Sequence, residues 1–326
     1  MAGTDTIDIQ YRVLLEGCGL LDRSERGKLA LTGSDALEFL NGQVTNELAD
    51  LVPGEGRYAA FLTHKGKMLG DLRVLLIDDE DATELLLDTE RVALQDLFDM
   101  IRRFKVGFEV ELHKRTLERG MLSLVGPQAS AIAAPELQGA DEHSHARVEI
   151  ASMVVRAVRT DVGVDLLCEA RDTDALADVL RGLGAHDVSE SAVECLRVEH
   201  GRPRFGVDID ESVIPQEAGI NERAVSFTKG CYVGQETVAR LFYKGKPNRH
   251  LRGLRLSAQA ASGAELHLEQ KLVGRLGTVA VSPRLGPIAL ALVRREAQPG
   301  SVLDVGSDGV EAEVVELPFP GAGQAT

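Results

Sequence analysis

The sequence predicts an α+β protein that ends in a small antiparallel barrel. Three observations carry this. Through the first 240 residues short β-like runs alternate with amphipathic helices, and the same grammar occurs twice in succession, which favours layered α+β units over a doubly wound sheet. After about residue 245 the helical periodicity stops, and six short β-rich runs separated by Gly, Pro or Ser follow. The length, 326 residues, exceeds one simple core and implies two or three compact units.

In chain order, "LTGSDALEFLNGQV" reads as a helix capped by Ser34, with Ala36, Leu37 and Leu40 at helical spacing. "GRYAAFLTHKGKMLGDLRVLLI" holds two apolar runs around His64-Lys65-Gly66, the pattern of a hairpin, and "TELLLD" reads as a further strand. "RVALQDLFDMIRRF" places Leu94, Leu97, Phe98 and Ile101 on one helical face. "MLSLVGPQASAIAA" predicts strand, turn and helix, and residues 128–147 read as a loop or domain boundary. In the second unit "VEIASMVVRAV" and "GVDLLCEA" are strand-like, while "DTDALADVLRGLG" predicts a helix opened by Asp172 and ended at Gly184. Ser191 and Glu194 are spaced as a capping box for a helix that Gly201 stops. The tail after Pro318 is expected to be loose.

The formal charge of −15 speaks against broad nucleic-acid binding, which needs a basic surface to displace counterions. The start "MAGTDTIDIQ" lacks a basic region of the export type, and no apolar run approaches membrane-spanning length, so neither export nor a membrane is expected. Cys18, Cys168, Cys195 and Cys231 lie far apart without a CxxC pair, which fits a reducing cytoplasm and no metal site.

The stretch "KGCYVGQE", Lys229–Glu236, raises the question of chemistry. A thiolate is the reactive form of cysteine, and a nearby cation or helix N-terminus favours it. Lys229 is two residues from Cys231, and "GQETVARLF" reads as a helix start with Glu236 in its first turn. Gly230 and Gly234 allow a sharp turn that exposes the sulfur. The competing reading is a small buried apolar residue, as expected for the other three cysteines. Downstream, Arg240, Lys244, Lys246, Arg249, Arg252 and Arg255 form a basic run, suited to an anionic partner or simply to a solvated face.

The octet resembles the signature of the YgfZ family of folate-binding proteins that support iron–sulfur enzymes, Lys-Gly-Cys-(Tyr or Phe)-x-Gly-Gln-Glu. "LTGSDALEFLNGQVTNEL", "LRVEHGRPRFGVDI", "IPQEAGI" and "GPIALALVRRE" extend the resemblance over most of the chain. The wider superfamily includes the glycine-cleavage T-protein aminomethyltransferase, GcvT. The resemblance implies a three-domain ring: two ferredoxin-like α+β units and a C-terminal antiparallel β-barrel, with tetrahydrofolate in the central channel. The implied boundaries are 1–45 with 140–240 as a discontinuous folate-binding domain, 46–139 as the second unit and 241–326 as the barrel.

It also implies site residues. Glu199 of "RVEHG", with Arg197 beside it, matches the segment whose carboxylate holds the pterin; such a group accepts two parallel hydrogen bonds. At a helix C-terminus that anion needs a local partner. Glu217 is a second candidate for the same pocket. Asp71 of "KGKMLGDLRV" aligns with the T-protein's catalytic aspartate, which orients an amine and stabilises developing positive charge. Gly70 replaces the preceding aspartate, and "LLLDT" lacks the T-protein's asparagine. Tyr232 either stacks on the folate or packs in the core. The family often stacks tryptophan on folate; with no tryptophan here, Tyr11, Tyr58, Phe205 or Tyr232 must substitute. The implied function is a tetrahydrofolate-binding accessory protein for assembly or repair of iron–sulfur enzymes, tRNA-modifying ones included, with Cys231 near the pocket mouth and iron–sulfur client or assembly proteins as partners. The alternative is a folate-dependent aminomethyltransferase using Asp71.

Overall fold

The computed structural model describes residues 2–79, 82–307 and 309–322. From the N-terminus the order is α1 (Ala2–Glu16), β1 (Gly19–Asp22), β2 (Gly27–Thr32), α2 (Ala36–Asn41), β3 (Gly56–Leu62), β4 (Met68–Asp79), β5 (Ala82–Thr89), α3 (Leu94–Phe104) and β6 (Glu111–Lys114). There follow β7 (Arg119–Val125), α4 (Ala129–Ala133), β8 (His145–Ile150), β9 (Met153–Arg159), β10 (Gly163–Glu169), α5 (Thr173–Gly182), β11 (His186–Asp187), α6 (Glu190–Glu199), α7 (Asn221–Ala224) and α8 (Gln235–Lys244). The C-terminal part holds β12 (Arg249–Leu256), β13 (Glu265–Leu268), β14 (Lys271–Ser282), β15 (Gly286–Arg294), β16 (Val302–Val305) and β17 (Val310–Val315).

The strands form three sheets, ordered β3-β4-β5-β2-β6, β11-β1-β7-β10-β9-β8, and a closed barrel β12-β15-β14-β13-β16-β17. The α+β class and the C-terminal antiparallel barrel are therefore as the sequence predicts. A turn after β1, held by the Ser24 N–H on Asp22 Oδ1 at 2.8 Å, sends β1 and β2 into different sheets. Strand β2 thus pairs with β5 and β6, although its residues lie in the stretch expected to join 140–240, and β7 pairs with β1 and β10.

The first two sheets face each other with helices outside. In β4 the side chains alternate: Leu72, Val74 and Leu76 pack with Leu97 and Ile101 of α3 and Phe39 and Leu40 of α2. Leu75 and Ile77 point the other way and meet Met121, Val158 and Leu167 of the second sheet. Both faces are covered, which is why "LRVLLI" is a nearly unbroken apolar run. The second sheet repeats this: Leu122, Leu124, Val164 and Leu166 pack under Leu176 and Leu180 of α5. Asp71 and Arg73, in phase with Leu75, therefore point between the sheets, as do Ser123 and Asp165. The sandwich is apolar along one stretch and polar at the next.

Three local expectations are corrected. Helix α2 starts after Asp35, and Ser34 spends its hydroxyl on Glu109 at 2.9 Å. Ser189, not Ser191, caps α6, and Glu194 pairs with Arg197 instead of closing a capping box. The tail is docked as far as Phe319, which is 1% exposed and whose N–H donates to the Glu199 carbonyl at 2.8 Å. Its ring packs over Gly253, where a Cβ would approach it to 2.7 Å. Phe319→Ala is expected to cost about 3–5 kcal/mol in urea denaturation. A loss below about 1 kcal/mol would mean that the tail contributes no more than an ordinary surface position.

Candidate functional site

The polar end of the sandwich encloses a cavity of about 240 Å³. Helix α6 closes it: Val193, Leu196, Arg197 and His200 lie on its wall at helical spacing, and the chain after α6 adds Arg202 and Phe205. Seven arginines and five carboxylates line it, a positive excess in a protein of formal charge −15. The tightest part is a buried relay. Asp88, fully buried, accepts from Arg26 Nε and Arg73 Nε at 2.7 Å each, and Arg73 reaches Asp165 at 2.6 Å. Burial pushes the Asp88 carboxyl up, but Arg26 and Arg73 outweigh it and hold it well below the usual range. Asp88 stands in "LLLDT", so an ion-paired aspartate occupies the strand where the T-protein pattern has asparagine.

Asp71 lies beside this relay, 8% exposed, and Oδ2 accepts from the Tyr58 hydroxyl at 2.6 Å. Burial raises its pKa from 3.8 to about 6, against the Tyr58 hydrogen bond. It is thus a carboxyl that changes charge close to neutrality, the property expected of proton-handling groups. Arg223 stands over the Tyr58 ring, 4.9 Å from its centroid, and pairs with Glu142. Arg202 pairs through Nε with Asp161 at 2.9 Å, and His200 lies 3.8 Å from the same carboxylate. His143 is buried, with Nδ1 lacking a hydrogen-bond partner among the described residues, and burial, reinforced by Arg73 and Arg223, lowers its pKa to about 3. Its imidazole is neutral at physiological pH. Of the four aromatic residues expected to replace tryptophan, Tyr58 and Phe205 lie on the cavity wall.

Of the remaining sequence-predicted residues only Arg197 reaches the wall. Glu199 is not on the wall. At about 100° per residue it projects away from the face of α6 that carries Leu196, Arg197 and His200. Both its oxygens accept from the Tyr11 hydroxyl at 2.9 Å; Ser282 also donates to Oε1, and Arg284 to Oε2 at 2.8 Å. These are the local partners that an anion at a helix end requires, and they come from α1 and the barrel. Glu199 joins these elements, and both its oxygens are engaged by them. Arg197 reaches the wall with all five N–H groups engaged, by Glu194, Asp208, Thr278 and the Arg202 carbonyl. Glu217 is likewise committed, receiving both Nε and Nη2 of Arg249 at 3.3 and 2.8 Å.

The octet forms a separate feature. Cys231 is exposed, and the other three cysteines are buried. Helix α8 begins just after it, at a Gly234 with φ of +85°, where a Cβ would sit 2.6 Å from the Thr63 carbonyl oxygen. Only Gly234 needs glycine's freedom; Gly230 has open space around it and no left-handed φ. Lys229 does not neighbour the sulfur as expected. Its ammonium is buried among Asn41 O, Asn41 Oδ1, Val44 O and Asn46 O at 2.6–3.0 Å, where burial lowers its pKa to about 8. Tyr232 packs in the core with that ammonium 5.4 Å from its ring centroid. Neither Cys231 nor Tyr232 borders the cavity.

Sequence reasoning found Asp71 through its segment but missed His143, Arg202 and Arg223. His143 and Arg202 stand on loops and Arg223 on the short helix α7, in three separate stretches of sequence, and the sole hint was that His143 falls in a stretch of His and Glu unusual for a plain linker.

Comparison with known proteins agrees with this architecture. The GCVT N-terminal domain matches residues 4–229, and the glycine cleavage T-protein C-terminal barrel domain matches residues 249–320. An aminomethyltransferase of Thermotoga petrophila is 28% identical over 319 residues, spanning 92% of this chain and 86% of that protein. One from Streptomyces coelicolor is 27% identical over 323 residues, with 92% and 86% spanned. The crystal structure of the glycine cleavage system aminomethyltransferase T of Bartonella henselae has the same fold, at a TM-score of 0.83 and 24% identity over 96% of this chain and 89% of that one. A barrel of six strands, two facing sheets and matches over both parts of the chain leave one conclusion: the protein belongs to the GcvT family.

Proposed function

We propose that the protein binds tetrahydrofolate in the cavity between the two sheets and acts as an accessory factor for iron–sulfur enzymes, tRNA-modifying ones included, through Cys231. The cavity wall carries the reading. Asp71 is a hydrogen-bond acceptor for ring N–H groups, Tyr58 and Phe205 are flat surfaces for an aromatic ring, and Arg202 and Arg223 are cations for an acidic tail. At about 240 Å³ the cavity lies just under the usual 300–1,000 Å³ of ligand pockets, so it takes the pterin end and leaves the tail toward the opening. Bound tetrahydrofolate supplies amine nitrogens that carry one-carbon units. The iron–sulfur part rests on the match of the octet to the YgfZ signature and on Cys231 being the exposed cysteine.

The test is a thermal melt with tetrahydrofolate combined with complementation. At a hundredfold excess over Kd the ligand is expected to add about 2.7 kcal/mol of stability. Cys231→Ser keeps that shift and the wild-type melting temperature, yet fails to restore iron–sulfur enzyme activity in a cell lacking the protein. Full restoration by the serine variant would refute the thiol role.

A second reading is favoured by one observation, the Asp71–Tyr58 pair on the cavity wall. In an aminomethyltransferase, the activity its relatives are named for, Asp71 would take or hold the proton of the attacking amine. Incubation with tetrahydrofolate and an aminomethyl donor then yields one-carbon-loaded folate, lost in Asp71→Asn and kept in Cys231→Ser.

A further inference from the structure

A second cavity, of about 360 Å³, lies against the first. Among the described residues Tyr58, Glu142, His143 and Arg223 border both. Glu142 is thus the one carboxylate, and Arg223 the one arginine, common to the two walls, and they pair with each other.

The two partners are held very differently. Arg223 stands on α7, with its guanidinium 4.9 Å from the Tyr58 ring centroid. Asn46 Nδ2 donates to the carbonyls of Tyr58 and Arg223 at 2.8 and 2.9 Å, which fixes these two backbones against each other. Arg223 therefore keeps its place without Glu142. The Glu142 carboxylate, carried by a loop, accepts a hydrogen bond from Arg223 alone among the described residues. His143 Nε2 lies 3.7 Å from it, beyond hydrogen-bond distance. The Glu142 side chain is 29% exposed and has the second cavity beside it, with Arg57 as another cation on that wall. Asp165, by contrast, is buried between Arg73 and Ser123 and has no such freedom.

We propose that Glu142 is a built-in competitor of the ligand: it holds Arg223 until the carboxylate of a bound folate takes its place, and then turns to solvent in the second cavity. The inference rests on the folate reading given above, and it names the residue that selects for the acidic tail. A ligand carboxylate leaves Arg223 as well paired as before, so the exchange is nearly balanced. Affinity is lowered by the fraction of protein in which Glu142 still occupies the arginine. A ligand without a carboxylate leaves the pair intact and gains nothing from Arg223.

The test is calorimetric titration of the full-length protein with two ligands. One is tetrahydrofolate; the other is a tetrahydropterin with a methyl group in place of the folate side chain, which has no carboxylate. Glu142→Gln is expected to bind tetrahydrofolate about threefold to tenfold more tightly than wild type, between the effects of exposed and buried ion pairs. Glu142→Ala shifts affinity in the same direction. The methyl pterin binds wild type and Glu142→Gln equally. Asp141→Asn removes the same charge from the wall of the second cavity without touching Arg223. Its side chain is exposed and screened by salt, so affinity changes by less than about twofold. Equal tetrahydrofolate affinity in wild type and Glu142→Gln, the same gain from Asp141→Asn, or a matching gain for the methyl pterin would overturn the proposal and leave the folate reading in place. Absence of saturable tetrahydrofolate binding to the wild type would overturn both.

Discussion

Asp71→Asn is expected to make the protein more stable at neutral pH, by up to about 3 kcal/mol. The folded state keeps the Asp71 proton up to a pKa of about 6, against 3.8 for the ordinary carboxyl. Between those values the folded protein binds more protons than the unfolded chain, so stability falls as pH rises through this window. The penalty is absent below 3.8 and complete above about 6. Asparagine removes the buried charge and still accepts from Tyr58. Urea denaturation of both proteins across this window measures the effect: the two curves should converge at the acid end and separate toward neutrality. A variant less stable than wild type at neutral pH would mean that the carboxylate is compensated by groups other than Tyr58. Keeping a destabilising carboxyl makes sense where function needs its charge.

Arg73→Met is expected to lose about 3–5 kcal/mol, the usual outcome of removing one partner from a buried ion cluster. Arg73 is the link between Asp88 of the first sheet and Asp165 of the second, so its loss leaves Asp165 with the Ser123 hydroxyl and no cation, and Asp88 with Arg26 alone. The acid response changes as well. The Asp88 carboxyl is depressed in the folded protein, so its stabilisation is present above the unfolded pKa and is lost as pH falls toward the folded one. Without Arg73 that depression shrinks, and acid unfolding moves to higher pH. Arg73→Met with Asp165→Asn should recover part of the loss, because the second carboxylate no longer needs a partner. A single-variant cost below about 1 kcal/mol would place the relay among exposed ion pairs, in conflict with its burial.

These two residues also show what the sequence could reveal. The β3–β4 hairpin and the barrel were legible because alternation and turn residues are local signals. The inward direction of Asp71 and Arg73 follows from their parity with Leu75, once the strand is known. Sequence did not show which face of α6 turns to the cavity. The segment around Glu199 identifies a residue type at a position, but Arg284 and Ser282, more than 80 residues away, decide that the carboxylate is closed off. Lys229 was misplaced for a similar reason. Two residues along a turning loop the side chain points away from Cys231, into oxygens of the 41–46 segment. Phe319 was read as a loose tail because Pro and Gly flank it, while its ring fills a gap over Gly253.

The cavity between the sheets, and not the octet, is the proposed folate site. Calorimetric titration of tetrahydrofolate into the wild type, Arg223→Glu, Asp71→Asn and Cys231→Ser tests it most directly. Saturable binding by the wild type and by Cys231→Ser, with affinity lost in Arg223→Glu and reduced in Asp71→Asn, is the expected result. No binding to the wild type, or binding that survives both cavity substitutions and fails in Cys231→Ser, would contradict it.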